Sequence, residues 1–204
     1  MSDQLAIDPA RSALLVMDLQ NDLVSRGGVM TTTDEEALTR IDAAIAAAKA
    51  AAQAARAAGM AVIHVAVGRN VGEPPVNPHL PILQFLAKTD ALVIGSKGFA
   101  FHPDAQPADG EPVIVKRSVS AFAGTELAPL LQGRGIDTLV LCGFATHMVV
   151  IGTARDAADR GYRVIVLADC ATSGGLDRHE AALANIAMIG SVSDGQAFAG
   201  ALAA

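Results

Sequence analysis

Short apolar runs recur along the chain and are separated by segments with helical periodicity. Runs of this length, ended by charged or turn-forming residues, predict strands that are buried on both faces. They lie at 12–19, 61–67, 112–116, 137–142 and 163–168, and a short edge strand is predicted at 191–193. The sequence therefore predicts six strands.

The segments between the strands predict helices. They lie at 33–58, 81–86, 125–133, 146–160 and 177–189, with a final short helix after the last strand. Thr33 is the expected N-cap of the first helix, and Gly59 suits the position after its end. Thr125 is the expected cap of the helix 125–133. Strands that alternate with helices predict right-handed crossovers and a mostly parallel sheet.

The predicted architecture is therefore an α/β fold: a three-layer αβα sandwich, Rossmann-like, forming a single domain over residues 1–204. The composition supports this fold. Hydrophobic residues make up 51% of the chain and aromatic residues only 3%, so Val, Ile, Leu and Ala must build the core. Pro, Gly and Asn mark a long loop at 68–81, and a second irregular stretch covers 95–112.

Charge and cysteine usage exclude several classes of protein. The net charge is −6, and Lys116-Arg117 is too short a basic cluster to neutralise a nucleic-acid backbone. No apolar run approaches the roughly 20 residues that span a bilayer. The polar segment 1–5 does not resemble a signal peptide. Cys142 and Cys170 form no CxxC motif. We expect a cytoplasmic protein with no nucleic-acid or membrane partner.

Candidate chemistry lies where strands end, because ligands of open parallel sheets bind outside the carboxyl ends of the strands. Asp18, Lys116, Asp169 and the segment 143–149 lie at such ends. A carboxylate can act as acid or base, a lysine supplies a fixed charge, and a helix N-terminus favours developing negative charge.

Plainer interpretations stand beside these. Asp18 alone is an ordinary turn or cap residue, and Lys116 at a strand end usually reaches solvent. Segment 143–146 is equally consistent with a simple turn before a helix. His64 lies inside a strand and is expected to be a hydrogen-bonded core histidine. Spacing by itself leaves the catalytic hypothesis as one of several.

Three blocks of sequence favour the catalytic hypothesis over the plainer interpretations. They read Asp18-Leu-Gln-Asn-Asp, Lys116-Arg-Ser-Val-Ser-Ala-Phe-Ala-Gly-Thr, and Gly143-Phe-Ala-Thr-His-Met-Val-Val-Ile-Gly-Thr-Ala-Arg-Asp-Ala. In this order the blocks resemble the isochorismatase-like hydrolase superfamily, and the resemblance extends from Ser12 to about Val192. In the amidase branches the third block has the form GxxTxxCV.

The resemblance assigns roles to individual positions. Asp18 matches the base and Lys116 matches the supporting lysine. The nucleophilic cysteine falls on Val149, which cannot attack a carbonyl, so a covalent thioester is excluded there. Cys142 and Cys170 are expected to be buried or too far away. Ser118, Ser120 and Thr146 have no evident activating histidine.

Isochorismatases of this superfamily also lack the cysteine. Their aspartic acid protonates the carbon of a vinyl ether, water attacks the resulting cation, and no side-chain nucleophile is needed. His147 resembles a histidine that some of them carry, although amidase branches can carry it as well. The zinc-dependent nicotinamidases of the superfamily hold their metal through an Asp-x-His pair that segment 65–70 lacks, so we expect no metal and no cofactor. The resemblance also implies a cis peptide between Phe144 and Ala145.

The expected substrate-binding residues flank these positions. They are Phe144, Ala145, Thr146, His147, Arg69 and Phe122. The expected partners are a small-molecule substrate and further copies of the chain, in a homodimer or larger homo-oligomer, with 68–81 and 95–112 as candidate interface or lid.

Three hypotheses for the function remain open at this stage. The first is a hydrolase that uses Asp18 and Lys116 without a cysteine and acts on an enol ether or related C–O bond. The second is a catalytically silent protein that binds a small molecule or has a structural role. The third, ranked last, is an amidase with a displaced nucleophile.

Overall fold

A single six-stranded sheet organises the computed structural model, which describes residues 5–203. The prediction about a signal peptide rests mainly on residues 1–4, which lie outside this range. The strands are β1 (Ser12–Met17), β2 (Ala61–Val67), β3 (Val113–Lys116), β4 (Thr138–Phe144), β5 (Arg163–Thr172) and β6 (Ser191–Ser193). Their order is β3-β2-β1-β4-β5-β6, and every neighbouring pair is parallel. The predicted parallel α/β fold is confirmed.

Helices connect these strands. They are α1 (Asn21–Val24), α2 (Glu35–Ala57), α3 (Pro81–Ala87), α4 (Leu127–Gly133), α5 (Ile151–Asp159), α6 (Leu176–Ile186) and α7 (Gly195–Leu202). Short 3₁₀ turns lie at Pro9–Arg11 and Pro103–Ala105. Within residues 5–203, no helix combines the length and apolar character needed to cross a membrane.

Successive residues of β1 point to opposite faces of the sheet, and both faces are covered. Leu15 and Met17 pack in a cluster with residues of α4, α5 and α6. Leu14 and Val16 pack in a second cluster with residues of α2 and α7. Because both faces are buried, β1 is apolar from Ala13 to Met17, and Ser12 at its start is buried as well.

Several helix and strand ends differ from the predictions. Asp34, not Thr33, caps α2, because its carboxylate accepts a hydrogen bond from the N–H of Glu36 at 3.0 Å. Thr125 lies one position before the cap of α4, although its hydroxyl accepts from the N–H of Leu127 at 3.3 Å. β1 ends at Met17, since Asp18 turns into the left-handed region with φ of 55°.

The largest difference lies around the predicted helix 146–160. Its first turn, Thr146–Val150, is a π-helical turn, and the α-helix α5 begins only at Ile151. The carbonyl of Ala145 accepts hydrogen bonds from the N–H groups of Met148, Val149 and Val150. A single π turn changes the direction of the side chains that follow β4, which periodicity in the sequence does not reveal.

The order of the strands fixes the position of a crevice. From β1 the chain moves outward to β2 and β3, then crosses back to β4 on the other side of β1. Such a switch point leaves a crevice at the carboxyl ends of β1 and β4. Helices α1 and α3 and the loops beside them contribute residues to a third, smaller apolar cluster over this edge.

Candidate active site

A cavity of about 610 Å³ opens at this edge of the sheet. Asp18, Lys116 and Val149 line it together with Phe144 and His147. One side of the cavity is apolar and is built by residues of the loops and helices above the sheet: Leu23, Met30, Ile82, Leu83, Leu86 and Leu92. Its size and mixed lining suit a small organic molecule.

Two buried charges meet at the cavity. The Nζ atom of Lys116 lies 2.8 Å from Oδ2 of Asp18 and 3.2 Å from the carbonyl oxygen of Ser118. Asp18 and Lys116 are each only 1% exposed. Oδ1 of Asp18 has no hydrogen-bond partner among the residues that the structure describes, so this oxygen is available to a ligand.

Burial sets the protonation of this carboxyl. Loss of hydration raises the pKa of Asp18, and the charge and hydrogen bond of Lys116 offset the rise only in part. The neutral acid is therefore more accessible at Asp18 than at an exposed aspartate. A carboxyl with a raised pKa beside a fixed cation can both donate and accept a proton during a reaction.

The topology explains why the cation is a lysine at the end of β3. β2 separates β3 from β1, and Lys116 pairs in register with Val67, the last residue of β2. Only a long side chain can cross the end of β2 and reach Asp18. The backbone N–H of Asp18 is fixed by the carbonyl of Val65 at 2.8 Å, so both partners are held by the sheet itself.

Gln20 and Asp22 hold the loops around the cavity, a role that sequence reasoning missed. The amide of Gln20 accepts from the N–H of Val67 at 2.9 Å and donates to its carbonyl at 3.0 Å. Asp22 accepts from the N–H of Leu92 at 2.8 Å. Both belong to the block that begins at Asp18, but their partners are distant in sequence, so the block itself offered no signal for them.

Val149 lies in the π turn and borders the cavity at the position that the resemblance assigns to the nucleophile. Its backbone N–H donates to the carbonyl of Ala145 at 2.9 Å. The peptide between Phe144 and Ala145 is cis, as the resemblance implied.

The two thiols lie away from this cavity. Cys142 and Cys170 are fully buried in the apolar cluster on the α2 and α7 face of the sheet, and neither borders the cavity. Burial raises the pKa of Cys142 to about 12 and raises that of Cys170 further. Such thiols stay protonated and unreactive near neutral pH.

Three of the predicted substrate-binding residues do not border the cavity. Thr146 is buried, and its hydroxyl lies 2.9 Å from Nδ1 of His179, so the expectation that no histidine accompanies this hydroxyl is wrong. Phe122 is in the core, stacked on Tyr162 with ring centroids 5.8 Å apart. Arg69 donates to the carbonyls of Thr89 and Ala91 and lines a separate small pocket.

Residues that the sequence did not single out also border the cavity. Ser118 and Val119 follow Lys116, and Asp177 and Arg178 lie in the first turn of α6. Asp177 and Arg178 follow β5. The strand was predicted to end at 168, so these two residues did not stand directly after a strand and were not recognised as candidates. Over residues 5–203, no three His, Cys, Asp or Glu side chains are grouped closely enough to hold a metal ion.

Comparison with known proteins identifies the family. The model of the isochorismatase domain matches residues 12–197. The ureidoacrylate amidohydrolase RutB of Methylobacterium radiotolerans is 36% identical over 220 residues, covering 98% of this chain and 83% of that protein. The maleamate amidohydrolase of Pseudomonas putida is 41% identical over 95 residues, covering 47% of this chain and 45% of that protein.

A solved structure agrees with these matches. The isochorismatase family protein of Desulfovibrio vulgaris superposes with a TM-score of 0.83 at 30% identity, covering 95% of this chain and 99% of that one. The family model and the superposition both extend over nearly the whole chain. This chain therefore belongs to the isochorismatase family of hydrolases.

Proposed function

We propose that this chain hydrolyses a small molecule with Asp18 and Lys116 and forms no covalent intermediate. The observation that carries the proposal is the identity of Val149, which borders the cavity at the position assigned to the nucleophile. A thioester requires a thiolate, and both thiols of the chain are buried in a different cluster. The attacking group is then water.

The hydroxyl of Ser118 does not replace the thiol. Ser118 borders the cavity, but among the residues described no hydrogen bond joins its hydroxyl to Asp18 or to a histidine. A serine without a base to take its proton is a poor nucleophile. Asp18 therefore exchanges its proton with water or with the substrate directly.

An enol ether or related C–O bond suits this arrangement best. Oδ1 of Asp18 donates its proton to the terminal carbon of the enol ether, and the adjacent carbon becomes an oxocarbenium ion. Water adds to that carbon and returns a proton to Asp18. The hemiketal then breaks its C–O bond to give a ketone and an alcohol, so one water is consumed. The charge of Lys116 stabilises the carboxylate that exists between the two proton transfers.

Amide hydrolysis is the second candidate, and the relatives favour it. The ureidoacrylate and maleamate amidohydrolases that resemble this chain cleave C–N bonds by name. In this chain Asp18 would deprotonate water for attack on the carbonyl. Both candidates place the same two residues at the reacting atoms and differ in the bond that breaks.

The test is turnover of a defined panel by wild type and by Asp18→Asn, followed by mass spectrometry. The panel holds isochorismate, ureidoacrylate and maleamate, and Asp159→Asn is the control because Asp159 is exposed on α5. We expect turnover that falls by roughly 10²-fold or more in Asp18→Asn, the usual contribution of a general acid or base, and is unchanged in the control.

Other outcomes contradict the proposal in different ways. Equal rates for wild type and Asp18→Asn would exclude Asp18 from the chemistry. A mass increase on the intact protein during turnover would reveal a covalent intermediate. No turnover of any compound would favour the catalytically silent alternative. The compound that reacts distinguishes C–O from C–N cleavage.

A further inference from the structure

The hydroxyl of Ser173 makes two contacts with a single neighbour, His147. Oγ of Ser173 accepts a hydrogen bond from the backbone N–H of His147 at 3.3 Å and lies 2.9 Å from Nδ1 of the same residue. Ser173 is fully buried. Within residues 5–203 its hydroxyl proton has no acceptor other than this Nδ1. Because buried hydroxyl protons find an acceptor in nearly all proteins, Nδ1 accepts and Ser173 donates.

This contact fixes the tautomer of the imidazole. When Nδ1 accepts, the proton of the neutral ring is carried by Nε2. Burial lowers the pKa of His147, and the nearby charge of Arg178 lowers it further, so the ring is neutral near pH 7. His147 borders the cavity, and its Nε2 has no hydrogen-bond partner among the described residues. The ring thus offers a ligand a donor and no acceptor.

Arg178 supplies a cation beside this donor. It is exposed on the first turn of α6 and borders the same cavity. No carboxylate in the described part of the chain forms an ion pair with it. Asp177 also borders the cavity and offsets part of the charge. Leu83 and Leu86 give the same cavity an apolar part of its lining.

We propose that Nε2–H of His147 and the guanidinium of Arg178 bind the carboxylate of an anionic substrate, with Ser173 as the positioning residue that fixes the donor. The carboxylate end lies at this donor pair, and an apolar body fills the side built by Leu83, Leu86 and Leu92. The inference rests on the proposed function, since it concerns the same cavity, and names the substrate class as small carboxylates with an apolar portion.

Binding of benzoate and of its neutral analogue benzamide tests the subsite, with mass spectrometry of each titrated sample to confirm that benzamide is not hydrolysed to benzoate. Calorimetry or NMR titration measures both with wild type, with Arg178→Gln and with Arg134→Gln. Arg134 is the matched control because it is exposed after α4. We expect benzoate to bind more tightly than benzamide. Arg178→Gln should weaken benzoate by about tenfold, the effect of losing one charge-assisted hydrogen bond, and should leave benzamide unchanged.

Equal affinities for the two probes, or no binding of benzoate at millimolar concentration, would overturn the proposal. So would an Arg178→Gln variant that weakens both probes equally. These outcomes are separate from the test of hydrolysis. Benzoate binding without turnover of any substrate would support the carboxylate subsite and contradict the proposed hydrolase. Turnover without benzoate binding would support the hydrolase and contradict the subsite.

The tautomer is tested by ¹⁵N NMR of the ring nitrogens, with the His147 signal assigned through His147→Gln. We expect wild type to carry its proton on Nε2. Ser173→Ala should give a mixture of tautomers and weaker benzoate binding, and Ser173→Thr should restore both, because threonine keeps the hydroxyl. A wild-type ring protonated on Nδ1 would overturn the role of Ser173 whether or not the Ser173 variants fold.

Discussion

Oδ2 of Asp18 accepts a hydrogen bond from Nζ of Lys116 at 2.8 Å, while Oδ1 of the same buried carboxyl has no partner among residues 5–203. The two oxygens therefore differ: one accepts from the lysine, and the other is left without a partner in a carboxyl that lines the cavity. Each side chain depends on the other, because a lone charge at this depth would be strongly unfavourable.

Replacing Lys116 with Met tests this dependence. The variant leaves a buried carboxyl without a counter-charge, and we expect the free energy of unfolding to fall by about 3–5 kcal/mol at pH 7. Urea denaturation measures the loss, and Lys97→Met, at an exposed position, is the control.

The same loss should depend on pH. Burial already raises the pKa of Asp18, and removal of the cation raises it further. For a carboxyl whose pKa is raised on folding, stability is retained at acidic pH and is lost as pH rises through the folded-state pKa. The deficit of Lys116→Met should therefore shrink toward pH 4. A deficit that is constant with pH would mean that the lysine contributes packing only.

Val149→Cys tests the position of Val149 independently of any substrate. Val149 is half-buried and borders the cavity, whereas Cys142 and Cys170 are fully buried with raised pKa values. Native wild type should resist iodoacetamide and take up two labels only when unfolded. Val149→Cys should gain one label in the native state, counted by intact mass.

Val150→Cys is the matched control. Val150 is adjacent in sequence but fully buried, so its thiol should remain unlabelled in the native protein. If Val149→Cys labels no faster than Val150→Cys, residue 149 does not face the cavity. Gain of amidase activity by Val149→Cys would additionally show that the remaining residues can support a thiolate.

The sequence predicted the sheet and the buried pair for a simple physical reason. Apolar runs mark strands that are buried on both faces, and polar residues directly after such runs must meet at the carboxyl edge of a parallel sheet. Asp18 and Lys116 both follow this pattern. The family resemblance then selected them from other strand-end residues such as Asp169, whose carboxylate instead accepts from the N–H of Gly195 at 2.8 Å.

The rest of the site depends on contacts that periodicity does not contain. Arg178 borders the cavity because β5 extends to Thr172, past the apolar run that marks the strand. Arg69 turns away because backbone carbonyls at Thr89 and Ala91 accept from its guanidinium. Phe122 packs in the core because Tyr162 covers it. The partners that decide the positions of Arg69 and Phe122 lie twenty or more residues away in the sequence.

A second, partly buried network joins α2, β2 and the segment before β3. Glu111 accepts from Nε and Nη2 of Arg56 at 2.7 and 2.9 Å, and its Oε2 lies 3.1 Å from Nε2 of His64. His64 is thus a core histidine that is hydrogen-bonded through Nε2, as predicted, but its buried Nδ1 has no partner among residues 5–203. Burial alone would raise the pKa of Glu111, but the hydrogen bonds from Arg56 and from the N–H of Ala108 outweigh it and lower the pKa to about 2.

Glu111→Gln should therefore lower the free energy of unfolding by about 1.5–3 kcal/mol at pH 7, the range for hydrogen bonds to charged groups. A carboxyl whose pKa is lowered on folding stabilises the folded protein at pH values above its unfolded-state pKa of about 4.3. This stability is lost as the pH falls toward 2. The difference between wild type and Glu111→Gln should disappear over that interval. Asp109→Asn, at an exposed neighbour, should show no such difference.

Gly143 is a position where added volume would disturb the strand that directly precedes Asp18. Its φ is 121°, and a Cβ atom built on it would lie 2.0 Å from the carbonyl oxygen of Met17, which directly precedes Asp18. Gly143→Ala must therefore push β4 away from β1 or displace the end of β1. We expect lower thermal stability and a loss of at least about tenfold in the activity that depends on Asp18, since small displacements of reacting groups are costly.

Gly133→Ala provides the comparison, because a Cβ at Gly133 meets nothing within 4 Å and its backbone is helical. That variant should be as stable as wild type or more stable by about 0.4–1 kcal/mol, through the smaller entropy of the unfolded chain. Calorimetric melting of both variants shows whether a loss of stability in Gly143→Ala comes from the clash with Met17 or from any glycine-to-alanine change. If Gly143→Ala melts and reacts like Gly133→Ala, the close approach of β1 and β4 is not what positions Asp18.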